Sequence, residues 1–315
     1  MVQRYDADSQ FVLNDTKTLG KTDVRLTPMG FGCASVWGKD LITDEQAQEL
    51  FEKAFELGIR YFDTGHSYGN SEERIGRILK TSTVVKRDDI VISTKFGTRY
   101  KDGKLVHDVS VDWIEESVQT SLKRMGIEYL DCLLCHGPRI EDFNEDFMRK
   151  MDELKARGLV KAVGANTFDT EVLEYIRDTK CLDYVMLDYN ILRQDREPLI
   201  KELYENGIGV IAGSALGESL WSNRVFRLRQ PKDVWYLARA VVKFKDLLIK
   251  GRKYRFINDV EGMTGAQVAL RYVLDNPYVT AAVFGTTTMS HLEDNMKALS
   301  VTIPEDVLVK IKNTK

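Results

Sequence analysis

Short apolar runs of strand length alternate with amphipathic helical patterns along almost the whole chain, and few folds accommodate that alternation. Strand patterns occupy 26–31, 59–63, 90–95, 130–136, 160–165, 184–190, 209–215 and 281–285. A run that is apolar on both faces suits a parallel sheet covered on each side. Helical patterns lie between them. Thr43 with Gln46 forms a capping box, and Ala47, Leu50, Phe51, Ala54 and Phe55 recur at helical spacing up to Gly58. Residues 71–79 follow, then a helix opened by Ser110 whose apolar face holds Ile114, Val118, Leu122 and Met125 before Gly126. Further helices are expected at 145–157, around 173–176, at 196–206, from Thr264, from Ser290 and at 304–312. Eight such units predict an α/β fold, the (β/α)8 TIM barrel, as a single domain over 1–315. Residues 1–25, with a turn at Gly20-Lys21-Thr22-Asp23, predict an N-terminal hairpin cap plugging the barrel bottom. A smaller hairpin is expected around Asp102-Gly103, within 98–109.

Composition narrows the function classes. With 43% apolar and 30% charged residues in 315, the chain fills a core and keeps a soluble surface. The net charge of -3 gives no global attraction to nucleic acid. The apolar runs fall short of the ~18–20 residues that a membrane span needs. The polar N-terminus has no signal-peptide core, so the expected location is cytoplasmic. Cys132-Leu-Leu-Cys135-His136 matches the haem-attachment spacing. It falls inside a strand, however, where residues three apart face opposite sides. No haem, zinc or disulfide is expected, and Cys135 reads as a small buried hydrophobe.

The chemistry gathers at strand ends. In Arg60-Tyr-Phe-Asp-Thr-Gly-His-Ser-Tyr-Gly69 an extended run stops at Asp63, and a glycine-marked loop returns Tyr68 beside it. A phenol with a reference pKa near ~10 is a poor acid or base at neutral pH. A neighbouring ammonium held by a carboxylate lowers that value. Ile90-Val-Ile-Ser-Thr-Lys-Phe-Gly97 ends on such a lysine, Lys95, and Leu130-Asp-Cys-Leu-Leu-Cys-His-Gly137 ends on His136. In a parallel barrel these ends converge on one mouth. The set Asp63, Tyr68, Lys95 and His136, in the contexts FDTGHSYG, STKFG and LLCHGP, resembles the catalytic tetrad of the aldo-keto reductase family.

That resemblance runs from about Gly20 to Asn295. It implies a metal-free oxidoreductase interconverting a carbonyl (aldehyde, ketone or sugar) and an alcohol with a nicotinamide cofactor. Tyr68 is the implied general acid and base. Asn166 matches the family's carboxamide-binding residue, although Ala165 stands where the family has serine. Met186 replaces a glutamine and Gly213 a stacking aromatic, as in some sugar-dehydrogenase-like branches. Ser214, late in strand seven, and Leu216, just after it, fall among the implied cofactor contacts. Gly285, Thr286, Thr287, Thr288, His291 and Asn295 resemble the adenosine-phosphate segment at a helix start. Gly30-Phe-Gly32 ends the first strand; close backbone approach to a cofactor and a tight turn are equally good readings of Gly32. NADP(H) is the family's commoner choice, while His291 in place of an arginine leaves NAD(H) open.

Residues 218–258 form an enlarged basic insertion after strand seven, with a helical pattern at 233–249. Between Trp221 and Arg255 eleven basic residues face only Asp233 and Asp246. A solvated basic face accounts for most of them. Arg224 and Arg227, nearest the strand end, are expected with Trp37 to line the substrate pocket. The expected partner is a small carbonyl or sugar substrate, anionic if the insertion meets it. Nucleic acid and membrane are not expected, and the sequence does not fix an oligomeric state. A cofactor-binding regulatory barrel and a redox-neutral epimerase with retained NAD(P) remain as alternatives.

Overall fold

The structure, a computed structural model, describes residues 16–39, 41–221 and 245–314. A closed eight-stranded parallel barrel lies at its centre. Its strands are β3 (Met29–Gly32), β4 (Tyr61–Asp63), β5 (Val91–Phe96), β8 (Leu130–His136), β9 (Val160–Asn166), β10 (Tyr184–Asp188), β11 (Gly209–Gly213) and β12 (Ala281–Phe284), paired in that order around the ring. Closure is made by β12 against β3, with Val283 opposite Gly30. The expected (β/α)8 architecture is therefore present.

Two antiparallel pairs decorate the barrel. The first, β1 (Lys17–Thr18) and β2 (Arg25–Leu26), sets Lys17 opposite Leu26. Leu26 was expected to open the first barrel strand. It belongs to this hairpin instead, and Pro28, with no N–H to give, separates the two elements. Leu19, Val24 and Leu26 pack with Tyr61, Leu134 and Tyr184 inside the barrel, closing its lower end. The rest of the expected N-terminal cap lies outside the described residues. The second pair, β6 (Thr98–Lys101) and β7 (Lys104–His107), turns at Asp102 and Gly103, both at positive φ.

Helices α1 (Asp44–Glu56), α2 (Ser71–Thr81), α3 (Val111–Met125), α4 (Glu145–Ala156), α5 (Thr170–Thr179) and α6 (Glu197–Glu205) cover the outside. They are followed by α7 (Lys245–Gly251), α8 (Gly265–Leu274), α9 (Met289–Met296) and α10 (Glu305–Asn313). The Thr43–Gln46 capping box starts α1, and a second, Thr264–Gln267, starts α8. The outward faces of the strands meet these helices in one continuous core, where Phe62 stacks on Phe51 at 3.8 Å between ring centroids. Of the basic insertion, α7 and the 3-10 segment Arg252–Asp259 are described, and Tyr254 and Ile257 anchor it in the core. No helix among the described residues is long and apolar enough to cross a membrane.

Candidate active site

Parallel strands in one closed ring aim their C-terminal ends at one mouth, and Asp63, Lys95 and His136 stand there on β4, β5 and β8. All three point inward, because period-2 alternation carries Tyr61 and Asp63, Ser93 and Lys95, and Leu134 and His136 to the barrel interior. Lys95 Nζ donates to both carboxylate oxygens of Asp63, each at 2.6 Å, and to the carbonyl of Thr64 at 2.7 Å. Tyr68 lies on the loop after β4. Lys95 Nζ sits 4.9 Å from the centre of its ring. The His136 ring stands perpendicular to the phenol, 6.0 Å away. Four residues drawn from three strands and a loop therefore meet as one cluster.

The Tyr68 loop is fixed from several sides. His66 N–H donates to the Lys95 carbonyl and Thr64 N–H to the Ser93 carbonyl, tying the loop to β5. Tyr68 N–H turns back to Gly65, whose missing side chain leaves room for the ring: a Cβ there would lie 3.1 Å from it. Gly38, from the loop after β3, comes closer still. A Cβ on Gly38 would sit 1.8 Å from the Tyr68 carbonyl oxygen, so only glycine permits this approach.

Burial governs the charges. It pushes the Asp63 carboxyl up, and the Lys95 ammonium pulls it part of the way back. The same burial penalises the Lys95 ammonium, yet Asp63 and Tyr68 outweigh it and hold Lys95 above its usual value. His136 is lowered to about 4, first by desolvation and then by the Lys95 charge. At neutral pH it is an uncharged imidazole. Its Nδ1 is buried with no partner among the described residues.

The other half of the mouth carries the expected cofactor contacts. Asn166 ends β9, is buried, and donates from Nδ2 to the Met186 carbonyl at 3.2 Å. Met186 and Gly213 are neighbours: a Cβ on Gly213 would meet Met186 Cγ at 3.2 Å, so the thioether chain occupies the space beside the bare glycine. Ser214 follows at φ 52°, and its carbonyl accepts from Asn190 Nδ2 at 3.1 Å. Leu216 is half-buried, and its carbonyl accepts from the Trp221 indole. At the β3–β12 seam a Cβ on Gly285 would lie 3.0 Å from the Gly32 carbonyl, and one on Gly32 would lie 3.2 Å from Val283. The absence of side chains at Gly32 thus serves strand packing at the seam.

Thr286, Thr287 and Thr288 lead into α9. Thr288 is its N-cap but makes no side-chain capping bond, so its hydroxyl does not occupy the first amides of the helix. His291 is half-buried in the first turn, and Asn295 is buried on the inner face. A helix start, three hydroxyl side chains and two close glycines suit a dinucleotide phosphate, and the Asn166 amide suits a carboxamide.

Trp37 does not wall a pocket. It is 1% exposed and packs on Phe51 in the core beneath the helices. The short 3-10 turn Ser35–Gly38 turns the indole into the core instead of toward the mouth. Arg224 and Arg227, with most of the 233–249 pattern, lie outside the described residues. One network was not foreseen: Asp188, ending β10, pairs with Arg193 and Arg196, and Arg196 also holds Thr170 Oγ1 at 2.7 Å. Its sequence signal is Asp188 at a strand end followed by two arginines. No group of three or more metal-ligating side chains occurs among the described residues.

Residues 28–314 match the sequence model described as the aldo/keto reductase family. The chain is 29% identical to the L-glyceraldehyde 3-phosphate reductase of Escherichia coli K12, over 89% of this chain and 86% of that protein. It is 27% identical to the NADH-specific methylglyoxal reductase of the same organism, over 91% and 94%. The holo form of an aldo-keto reductase from Bacillus halodurans superposes with a TM-score of 0.78 at 23% identity, covering 95% of this chain and 96% of that one.

Proposed function

The chain belongs to the aldo/keto reductase family, and from that premise we propose that Tyr68, Lys95, Asp63 and His136 interconvert a small carbonyl compound and its alcohol. Membership implies an oxidoreductase that carries out NAD(P)-dependent carbonyl reduction. The observation that supports the finer reading is the Lys95 ammonium, held by two 2.6 Å contacts to Asp63 and lying 4.9 Å from the Tyr68 ring centre.

A reduced nicotinamide, when bound, supplies the hydride. The chain's own residues do the rest. Tyr68 gives its phenolic proton to the oxygen of the carbonyl as negative charge builds there. Lys95 stabilises the tyrosinate left behind, which makes the phenol a stronger acid than in water. Asp63 keeps the ammonium charged and in place. His136, neutral at pH 7, turns a ring N–H to the carbonyl oxygen and orients it without adding a full positive charge that would oppose Lys95. In oxidation the tyrosinate takes the alcohol proton by the same path.

Asn166, Ser214, Leu216, Gly32, Gly285, Thr286 to Thr288, His291 and Asn295 are the residues proposed to hold the cofactor. Small aldehydes fit best as substrates, because the two bacterial relatives are named for a triose phosphate and a ketoaldehyde. Arg224 and Arg227 are proposed contacts for an anionic substrate.

The test is a fluorescence titration of the purified protein with NADPH and, in parallel, NADH. Saturable binding of at least one is expected, and the ratio of the two affinities reads the effect of His291. If neither binds, the cofactor reading fails, and with it the proposed reaction.

A further inference from the structure

Glu72, in the first turn of α2, is a carboxylate that the reaction does not use, and its side chain is 1% exposed. Burying such a charge is costly unless it is paired and hydrogen-bonded. Both of its oxygens are engaged. Oε1 accepts from Thr94 Oγ1 at 2.6 Å, and Oε2 accepts from Arg124 Nη1, on α3, at 3.0 Å. The local sequence explains the meeting. Gly76 lies one turn after Glu72 on the same face of α2. A Cβ on Gly76 would come 2.3 Å from the Arg124 carbonyl oxygen, so its absence lets α3 close on α2 and brings the guanidinium to Glu72.

The same pair grips the backbone of the Tyr68 loop. Arg124 Nη1 also donates to the His66 carbonyl at 3.1 Å. The His66 N–H donates to the Lys95 carbonyl at 3.1 Å. His66, two residues before Tyr68, is therefore held through both of its main-chain polar groups. Thr94 precedes Lys95 and, by alternation along β5, turns outward where Lys95 turns inward. The contacts close a circuit that runs from Lys95 through His66, Arg124, Glu72 and Thr94 back to Lys95 along the chain. The His66 ring stands perpendicular to Trp113, with 5.2 Å between centroids, and burial holds its pKa below the usual value. At neutral pH it adds no charge that would draw Glu72 away from Arg124.

We infer that Glu72 and Arg124 are positioning residues for Tyr68: from outside the barrel wall they fix the loop that carries the phenol to the strand that carries the Lys95 ammonium. Their catalytic consequence rests on the proposed role of Tyr68; the clamp on the loop does not. An ammonium acidifies a phenol only at short range, and a misplacement of about 1 Å can cost about 100-fold in rate. The distance from Lys95 to Tyr68 is set by β5 and by the loop, so whatever ties those two segments sets it. A pair serving only to join α2 to α3 would need no loop carbonyl. Here one guanidinium nitrogen is shared between the Glu72 carboxylate and the His66 carbonyl. Arg124 Nε meets Glu73 Oε1 at 3.0 Å on the solvent side, which orients the guanidinium toward the loop.

Three variants test the clamp. Glu72→Gln and Arg124→Met each break the pair, and Arg87→Met is the control. Arg87 pairs with Asp131 near the start of β8, away from the mouth, with side chains 16% and 5% exposed. All three variants should melt below the parent. Only Glu72→Gln and Arg124→Met should lose kcat, by at least about 10-fold with a small aldehyde, while NADPH binds as it does to the parent in a fluorescence titration. In the same two variants the His66 amide should exchange hydrogen at least about 10-fold faster, because the loop opens without global unfolding. Arg87→Met should leave both readouts at the parent's values. If kcat falls equally in all three, the pair is merely structural and the inference is wrong. An unchanged His66 exchange rate in Arg124→Met also refutes it. That rate is read without turnover, so a parent that reduces no aldehyde sinks the proposed reaction and still leaves the clamp tested.

Discussion

Replacing Asp63 by asparagine keeps the shape of the site and removes one charge from a pair that sees almost no solvent. The Lys95 and Asp63 side chains are 2% and 6% exposed, with Nζ and Oδ2 2.6 Å apart. At an effective dielectric of about 20 that separation corresponds to an attraction of about 6 kcal/mol, opposed by the desolvation of both ions. Deleting one partner of a buried pair leaves the other uncompensated and costs about 3–5 kcal/mol. The Thr64 carbonyl remains on Lys95, so Asp63→Asn should fall at the lower end of that range. Lys95→Met strands the carboxylate and should cost at least as much. The double variant carries neither charge, and its loss should be smaller than the sum of the singles by about 2 kcal/mol or more.

Urea unfolding of the four proteins measures this cycle, and its pH dependence adds a sign. In the parent, Lys95 has a raised pKa. Its stabilising contribution is complete below the unfolded value of about 10.4 and is lost as pH rises through the folded value. In Asp63→Asn the largest opposition to burial is gone, with Tyr68 and the Thr64 carbonyl left, and Lys95 should fall below the unfolded value. The unfolded chain then binds more protons, so stability rises with pH toward about 10. Single variants that each cost under about 1 kcal/mol, or parallel slopes in the two proteins, would refute the reasoning.

Three further outcomes follow from the same geometry. Gly38→Ala drives a methyl into the Tyr68 carbonyl, so kcat should drop by at least about 10-fold with a lower unfolding midpoint. Gly103→Ala, with nothing within 4 Å of its Cβ at φ +73, should cost only about 1 kcal/mol of backbone strain and leave kcat alone; steady-state kinetics and thermal melts check both. His136, lowered to about 4, should stay neutral through the physiological range, and an NMR titration placing its pKa above 6 would contradict the desolvated site.

Much of this was legible because the signals are local. A polar residue that closes an apolar strand run is visible in sequence, and alternation of strand and helix patterns then brings such residues to one mouth. Asp63, Lys95 and His136 are of this kind, and the glycines around Tyr68 mark its loop. Trp37 was misplaced for the opposite reason. A loop residue carries no periodicity, so nothing in the sequence says whether the indole faces the mouth or, as here, Phe51. The first barrel strand was set too early because Leu26 is apolar in either role, and only its pairing with Lys17 separates hairpin from barrel. Strand seven was drawn too long because Ser214, at φ 52°, leaves extended geometry.

The central claim is that Tyr68 is the proton donor, and Tyr68→Phe tests it most directly. The measurement is NADPH consumption with a small aldehyde, beside fluorescence titration of the same variant with NADPH. The account predicts that the variant binds cofactor as the parent does and turns over at least about 100-fold more slowly. Turnover equal to the parent, with binding intact, would contradict it.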